Sequence, residues 1–487
     1  MFTLLQLSDI HRSESDPISN DELLSCLITD SARFQNGTPS VSMPNAIIVS
    51  GDLVQGLPLG SMDYPHGLQK QYDQALEFLT RLADVFVDGD HSKVIIIPGN
   101  HDVDWNKALK SMSPAQTTGQ KVQKLLSIPH GPYRWAWSSL ELYQVTNQEA
   151  YAARFDFFCE MYSRFYEKAK LSFPLDPYRP WNLFELDGRK IIVCAFNSCV
   201  SNDCFSLVGE IPAEAISASH LEVLSTRTPH SLAIAVWHHD AQGPPMRSDY
   251  MDPDTVHLLI DKGFRLGLHG HQHKADAAPH YLFTSEPHTM VVVSAGSLCA
   301  AEPDLPRGCS RQYNIIEISD DYLHARVHVR EMIVQGVFGP GRLLSLGGRS
   351  YAEVQWSPVP SNALLNVGRA GGSTLALIEE AERLTREGEF DAAVAIIDSI
   401  DESLSVYHRP LLVDALHKAK NWQRLAELLS SPQNPTELTI CIKALVQLKN
   451  WSAADKVLEA AKSSGDFSAM TIKTLLEYVE GERKMPK

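Results

Sequence analysis

The feature that most limits how this chain can fold is a recurring unit: a short apolar run that stops at a cluster of polar side chains. The clearest copy is Lys93-Val-Ile-Ile-Ile-Pro-Gly-Asn-His-Asp102. A β-branched run of this kind predicts a buried strand closed by a turn, here Pro98-Gly99. An amide, an imidazole and a carboxylate follow, just past the strand end, where open α/β sheets bind their ligands. Phe2 to Leu7 ends in the same way at Asp9-Ile-His11, and Asn45 to Ser50 at Gly51-Asp52. Leu232 to Trp237 stops at His238-His239-Asp240, and Arg265 to Leu268 at His269-Gly-His271-Gln-His273. Asn and Asp favour turns anyway, and a single Asp-x-His pair is a weak pattern. Turn chemistry does not account for five such ends in one chain.

The intervals carry the helices that this arrangement needs. Asp21 to Arg33 and Gln69 to Ala83 have helical periodicity. They make β-α-β units, which imply parallel strands and right-handed crossovers. Asp9, Asp52 and Asn100 to Asp102 then emerge at one edge of a sheet. Lys190 to Phe196 is a further strand ending at Asn197-Ser198, and Tyr313 to Ile318 with Leu323 to Val329 predict antiparallel strands that close a sheet. Residues 103–187 break the rhythm and are rich in aromatics, with Ala150 to Lys170 expected as one long helix. Most of those aromatics fit a core; the segment as a whole fits a helical cap that narrows substrate choice. Gly and Ser are frequent in 336–350 and 368–373, which suggests connecting segments. From 373 onward the pattern is helical, and Phe390, Trp422 and Trp451 recur 32 and 29 residues apart. That is close to the tetratricopeptide period of about 34, so an array of helical hairpins serving as a docking platform is expected, with a plain helical bundle as the alternative.

A length of 487 residues suggests two to three domains. The net charge of -16 argues against a broad nucleic-acid-binding surface, although a carboxylate cluster that holds dications would itself add formal negative charge. Eight scattered cysteines contain no Cys-x-x-Cys pair, which argues against a thiolate zinc site and for reduced thiols in a cytoplasmic protein. The start of the chain enters a strand pattern with no signal peptide, and no apolar run of about 18 residues predicts a membrane span.

Read in order, D-x-H, G-D, G-N-H-D, H-H and G-H-x-H resemble the calcineurin-like metallophosphoesterase superfamily over roughly residues 1–330, with every motif intact. Pro98 to Asp102 and Gly270 to His273 look most like its phosphodiesterase and nuclease branch. The resemblance implies an α/β fold, a β-sandwich flanked by helices. Residues 1–335 would form the catalytic domain with its helical insertion at 103–187, 336–372 a linker and 373–487 an all-α, tetratricopeptide-like domain. It also implies two divalent cations ~3.5–4 Å apart that clamp a phosphodiester and turn a bridging water into the nucleophile for in-line attack. One cation would take Asp9, His11 and His273, the other Asn100, His238 and His271, with Asp52 between them. Mn2+ is expected, with Fe or Zn also compatible with carboxylate, amide and imidazole donors. His101 resembles the family's catalytic histidine near the scissile phosphate, Asp102 could orient its ring, Asn197 is placed at the substrate, and His239 either supports the ligand His238 from behind or contacts the substrate.

The expected function is hydrolysis of a nucleotide-type or single-stranded phosphodiester. One alternative is a DNA nuclease working with a partner ATPase in prokaryotic defence or repair, which a basic groove of Arg134, Lys168, Lys170, Arg179 and Lys274 would favour. The other is a non-enzymatic scaffold that binds a protein partner through 373–487; intact ligands at every motif argue against it.

Overall fold

The computed structural model describes residues 1–484 apart from 14–17, 38, 117–118, 127–130, 227–230, 244–248, 284–286, 343–348, 358–376, 378–380, 382, 386–387, 401–407 and 465–466. The chain forms two compact units, 1–361 and 362–487.

The first unit is built on two mixed sheets. Strands β1 (Phe2–Leu7), β2 (Ala46–Ser50) and β3 (Val94–Ile97) run parallel. Three strands β4 (Met112–Pro114), β5 (Tyr133–Ala136) and β6 (Glu141–Val145) make a separate small antiparallel sheet. The second large sheet holds β7 (Trp181–Leu186), β8 (Ile191–Phe196), β9 (Leu232–Val236), β10 (Leu266–His269), β11 (Asp276–Phe283) and β12 (Pro287–Ser294) in the order β11-β12-β10-β9-β8-β7. Its four inner strands are parallel and its two edge strands antiparallel. Strand β13 (Gln312–Ile318) returns antiparallel to β1, and β14 (His324–Val334) pairs with β13 as the alternating pattern predicts.

Alternation within each strand divides the core. Val193, Ile234, Val236, Leu268 and Val293 share one apolar cluster with Leu5, Leu7, Ile47, Val49 and Ile96 of the first sheet. Their neighbours Ile192, Cys194, Phe196, Ala235 and Trp237 belong to a second cluster with the helices Ala213–Thr226 and Pro253–Asp261. Strands buried on both faces have to be apolar throughout, which is why the runs are so plain in the sequence. Two polar groups stitch the sheets together inside this core. Gln6 Nε2 donates to the carbonyls of His269 (3.1 Å) and Val293 (3.3 Å), and Asn314 Nδ2 donates to Gln6 Oε1 at 3.0 Å. The first helix, Asn20–Ser31, starts where Ser19 Oγ accepts from Glu22 N, with Asp21 and Glu22 in the first turn. Tyr64–Phe86 buries Leu68, Tyr72, Ala75, Leu79, Leu82 and Phe86 at helical spacing.

Three expectations need correction. The segment 336–372 is not all linker: β15 (Val337–Pro340) and β16 (Tyr351–Gln355) both pair with β14 and extend the first sheet to seven strands. The insertion at 103–187 is not purely helical, since it contains the three-stranded sheet. Ala150 to Lys170 is not one helix but Gln148–Ala152, a 3-10 turn at Ala153–Phe155, and Asp156–Tyr166. The turn is held where Arg154 leaves the helical pattern of contacts: its guanidinium donates to the carbonyls of Tyr151, Val200 and Asn202.

The second unit is helical, with helices at Phe390–Asp398, His408–Lys418, Trp422–Leu428, Pro435–Gln447, Trp451–Ser464 and Ala469–Lys484. Phe390, Trp422 and Trp451 are each the first residue of a helix. Gly388, Lys420 and Lys449, two residues earlier, all have positive φ (88°, 56° and 56°). The intervening amide donates five residues back each time: Glu389 to Leu384, Asn421 to Leu416 and Asn450 to Leu445, all at 2.9 Å. One turn thus recurs three times. Among the described residues no helix is long and apolar enough to cross a membrane.

Candidate metal centre

All five polar strand ends meet at the carboxyl edge of the two sheets. The loops after β1, β2 and β3 face those after β9 and β10. Cross-sheet bonds hold them there: His238 Nδ1 lies 2.8 Å from Ser50 O, His271 N donates to Asp9 Oδ2 at 3.1 Å, and Leu298 N donates to Ser8 O at 3.0 Å. The backbone is strained where the ligands sit. Asp9, His11, Asp52, His271 and His273 have φ of 51°, 49°, 53°, 74° and 53°. Non-glycine residues in this region cost of order 1–3 kcal/mol each and mark functional sites. Two glycines permit the close approach. A Cβ at Gly99 would collide with the Asp52 carboxylate and amide, and one at Gly270 with Ser8 Oγ and Asp9 Oδ2.

The donors form two groups that share Asp52. In the first, His273 Nε2 lies 3.2 Å from Asp9 Oδ1 and 3.2 Å from His11 Nε2, while His11 Nε2 is 3.9 Å from both Asp9 Oδ1 and Asp52 Oδ2. In the second, Asn100 Oδ1 sits 3.1 Å from His238 Nε2 and 2.9 Å from His271 Nδ1, and His238 Nε2 is 3.2 Å from Asp52 Oδ2. Asp9, Asp52 and His238 are buried, and Asp9 Oδ1 has no hydrogen bond. Imidazole nitrogens in contact with one another and with an orphaned carboxylate oxygen are what a cation site looks like from its donors. The residues fit two divalent cations of the kind that takes O and N ligands.

The electrostatics agree. Burial opposes the charge on Asp52, yet the His238 and His101 charges hold its carboxyl well below the usual range. Asp9 is likewise held low against burial by His273. Burial pulls the other way on the imidazoles, but Asp52 lifts His238 to about 9 and Asp9 lifts His273 to about 9. Burial, then the His101 charge, pushes His11 down to about 3, so its ring is neutral and its lone pair available. The Asp9 and Asp52 carboxylates thus face imidazoles whose positive charge favours theirs, a charge that a bound dication would supply.

The structure brings Asp9, His11, Asp52, Asn100, His238, His271 and His273 together. His101 joins them: its ring lies edge-on to His11 at 4.7 Å, its N donates to Asp52 Oδ1 at 2.8 Å, and its Nδ1 is 2.8 Å from Gln55 O. Asp102 does not orient that ring. Its carboxylate is buried and accepts from the amides of Gly99 (2.8 Å), Leu53 (3.1 Å) and Val54 (3.3 Å), which ties the β2 and β3 loops together. Of the two places expected for His239, the structure shows the one behind His238. Asn197 Oδ1 caps its own loop through Cys199 N, and His239 is fully buried with Nδ1 on Ser198 Oγ at 2.9 Å. The expected basic groove is not assembled: Arg134 is paired with Asp203, and Arg179 with Glu222. Lys168, Lys170 and Lys274 are exposed.

Several partners had no sequence signal. The carbonyls of Ser50, Gln55 and Asp304 fix the outer ring nitrogens of His238, His101 and His273. Ser198 Oγ accepts from the amides of His238 (3.0 Å) and His239 (3.3 Å).

A family model described as calcineurin-like phosphoesterase matches residues 2–275, more than half of the chain. Curated proteins give no match. Among solved structures the chain is similar to a dimetal phosphatase from Danio rerio, with 8% identity, 73% of this chain and 99% of that chain covered, and a TM-score of 0.37. It is also similar to a 5'-nucleotidase from Candida albicans (16% identity, 65% and 48% covered, TM-score 0.32) and a calcineurin-like phosphoesterase from Bacillus subtilis (14%, 73% and 90%, 0.30). These scores carry no argument about activity.

Proposed function

This chain belongs to the calcineurin-like phosphoesterase family, and from that premise we propose that it hydrolyses a nucleotide-type phosphodiester, small or single-stranded, with Mn2+ as the working metal. Family membership makes it a phosphoester hydrolase with a dinuclear divalent metal centre. Bound at the two donor groups, such cations supply Lewis acidity to phosphoryl oxygens and acidify water. The observation that carries the diester reading is His101. Its Nδ1 is taken by Gln55 O, so Nε2 is the nitrogen left to act beside the donor groups. A proton on Nε2 can go to the alkoxide or nucleoside oxygen that leaves a diester, or stabilise the charge that builds there. Asp52 holds the His101 backbone by its amide, which fixes the distance between the acid and the metal ligands.

The substrate class is supported by charge. The net charge is -16, and Arg134 and Arg179 are committed to carboxylates, which leaves little for a long duplex. Oxygen and nitrogen donors without thiolate favour Mn2+ over softer metals. Among the described residues the eight cysteines form no disulfide, in keeping with a cytoplasmic protein, and residues 373–487 are read as a surface for a protein partner.

The test is a panel run with Mn2+ on wild type and Asp52→Asn: bis-p-nitrophenyl phosphate, p-nitrophenyl phosphate, cyclic nucleotides and dinucleotides, and end-labelled single- and double-stranded DNA. Hydrolysis of diesters by wild type alone is expected. Full activity in Asp52→Asn, or cleavage of monoesters only, overturns the proposal. Efficient cutting of duplex DNA replaces the small substrate with the nuclease reading.

A further inference from the structure

We infer that Asp249 is a positioning residue for the second donor group, holding the His271 ring so that Nδ1 faces Asn100. The inference rests on the dinuclear reading above.

An imidazole that ligates through one nitrogen needs a partner on the other to fix its tautomer and its plane. His238 presents Nε2 to the centre and has Nδ1 2.8 Å from Ser50 O. His273 presents Nε2 and has Nδ1 2.9 Å from Asp304 O. His271 is reversed. Its Nδ1 is the nitrogen at Asn100 Oδ1, so Nε2 points outward, and there the group that faces it is a carboxylate: Asp249 Oδ2 at 3.6 Å. Both side chains are mostly withdrawn from solvent, with 9% and 19% exposure, so the attraction is weakly screened.

His271 also needs the support more than its neighbours do. Its φ of 74° is the least favourable among the five strained residues of the centre. Among the described residues no further hydrogen bond to the ring is seen: it lies against the His239 ring at 4.9 Å and edge-on to Tyr250 at 6.4 Å. The backbone just after Asp249 is held in place. Tyr250 O accepts from Gly209 N at 3.2 Å, and Met251 N donates to Asp240 O at 2.8 Å. The loop that follows β9 thereby carries a carboxylate to the back of a ligand on the loop that follows β10.

Carboxylates behind a metal-bound imidazole typically change affinity about 10–100-fold when removed. The experiment is Mn2+ titration of the full chain, read by manganese per chain after gel filtration and by the low-temperature EPR signal of a spin-coupled Mn2+ pair. Asp249→Asn is expected to weaken one of the two sites by about 10–100-fold and leave the other unchanged. At limiting metal the coupled signal then gives way to a mononuclear one. Asp249→Glu should restore part of the coupled signal. His271→Ala should bind one cation, and adding Asp249→Asn to it should cost nothing further, which separates action through His271 from a general structural role. Two sites of wild-type affinity in Asp249→Asn, or a further loss in the double variant, overturns the inference. Fewer than two cations in wild type overturns the dinuclear reading and the inference with it.

Discussion

Replacing Asp102 tests how the centre is held together. Its carboxylate accepts from the amides of Gly99, Leu53 and Val54 at 2.8, 3.1 and 3.3 Å, and Tyr72 OH donates to its backbone oxygen at 2.9 Å. Asp102→Ala strands three buried N–H groups. An unsatisfied buried donor costs about 1–3 kcal/mol, so the loss for the alanine variant is about 2–6 kcal/mol after the weakest bond is discounted. Asp102→Asn keeps one accepting oxygen. Burial, and then the Asp52 charge, already pushes the Asp102 carboxyl up to about 7, so a neutral side chain there is close to the native condition. The asparagine variant should therefore lose about 1–2 kcal/mol and keep its metal. The assay is urea unfolding of metal-free protein alongside diester hydrolysis. Under the scaffold role, activity follows stability, and Asp102→Asn stays active where Asp102→Ala does not. If Asp102 instead oriented the His101 ring, both variants would lose rate alike without losing stability. An alanine variant within about 1 kcal/mol of wild type refutes the reasoning.

Two further outcomes follow from the same geometry. His101→Asn should lower kcat on a diester with a poor leaving group by about 10²–10⁴-fold while manganese content stays at the wild-type level; a p-nitrophenyl diester, which leaves without a proton, should be affected less, and an equal loss on both removes the general-acid role. Glu317 is buried, which alone would raise its pKa, but the hydrogen bonds from His328 Nε2 and Ser42 N, 2.9 Å each, bring it to about 2 from an ordinary 4.5. A depressed carboxyl stabilises the fold above its unfolded pKa and loses that contribution as pH falls through the folded value. Glu317→Gln should be less stable than wild type at pH 7, and the gap in urea midpoint should close between about pH 4.5 and 2; a gap independent of pH contradicts the pairing.

The strands and their polar ends were legible because each is a local pattern. A parallel strand covered on both faces must be apolar for its whole length, and the residues beyond it must satisfy a loop, so Val94–Ile97 and Asn100–Asp102 identify themselves. The edge strands were harder to read. Val337–Pro340 lies among glycines and Tyr351–Gln355 follows a Gly-Arg-Ser stretch, and neither shows the run of β-branched residues that an inner strand needs. The break inside 150–170 depends on Arg154 reaching Val200 and Asn202, a contact across some fifty residues that periodicity cannot show. Arg134 and Arg179 read as a free basic surface until their partners Asp203 and Glu222, far away in the chain, were in place.

By itself the sequence determined which polar clusters end the strands and that they lie at one edge, since residue type and strand direction are written locally; the allocation of ligands came from the family resemblance. Tertiary structure alone decided what each does. It turned Asp102 inward to three amides and buried His239 behind His238. It also set the outer ring nitrogens of His238, His101 and His273 on the carbonyls of Ser50, Gln55 and Asp304. The physical reason lies in those partners. A backbone N–H or C=O is the same at almost every residue, so a bond to one leaves no mark on the amino-acid order and exists only once the two sheets have met.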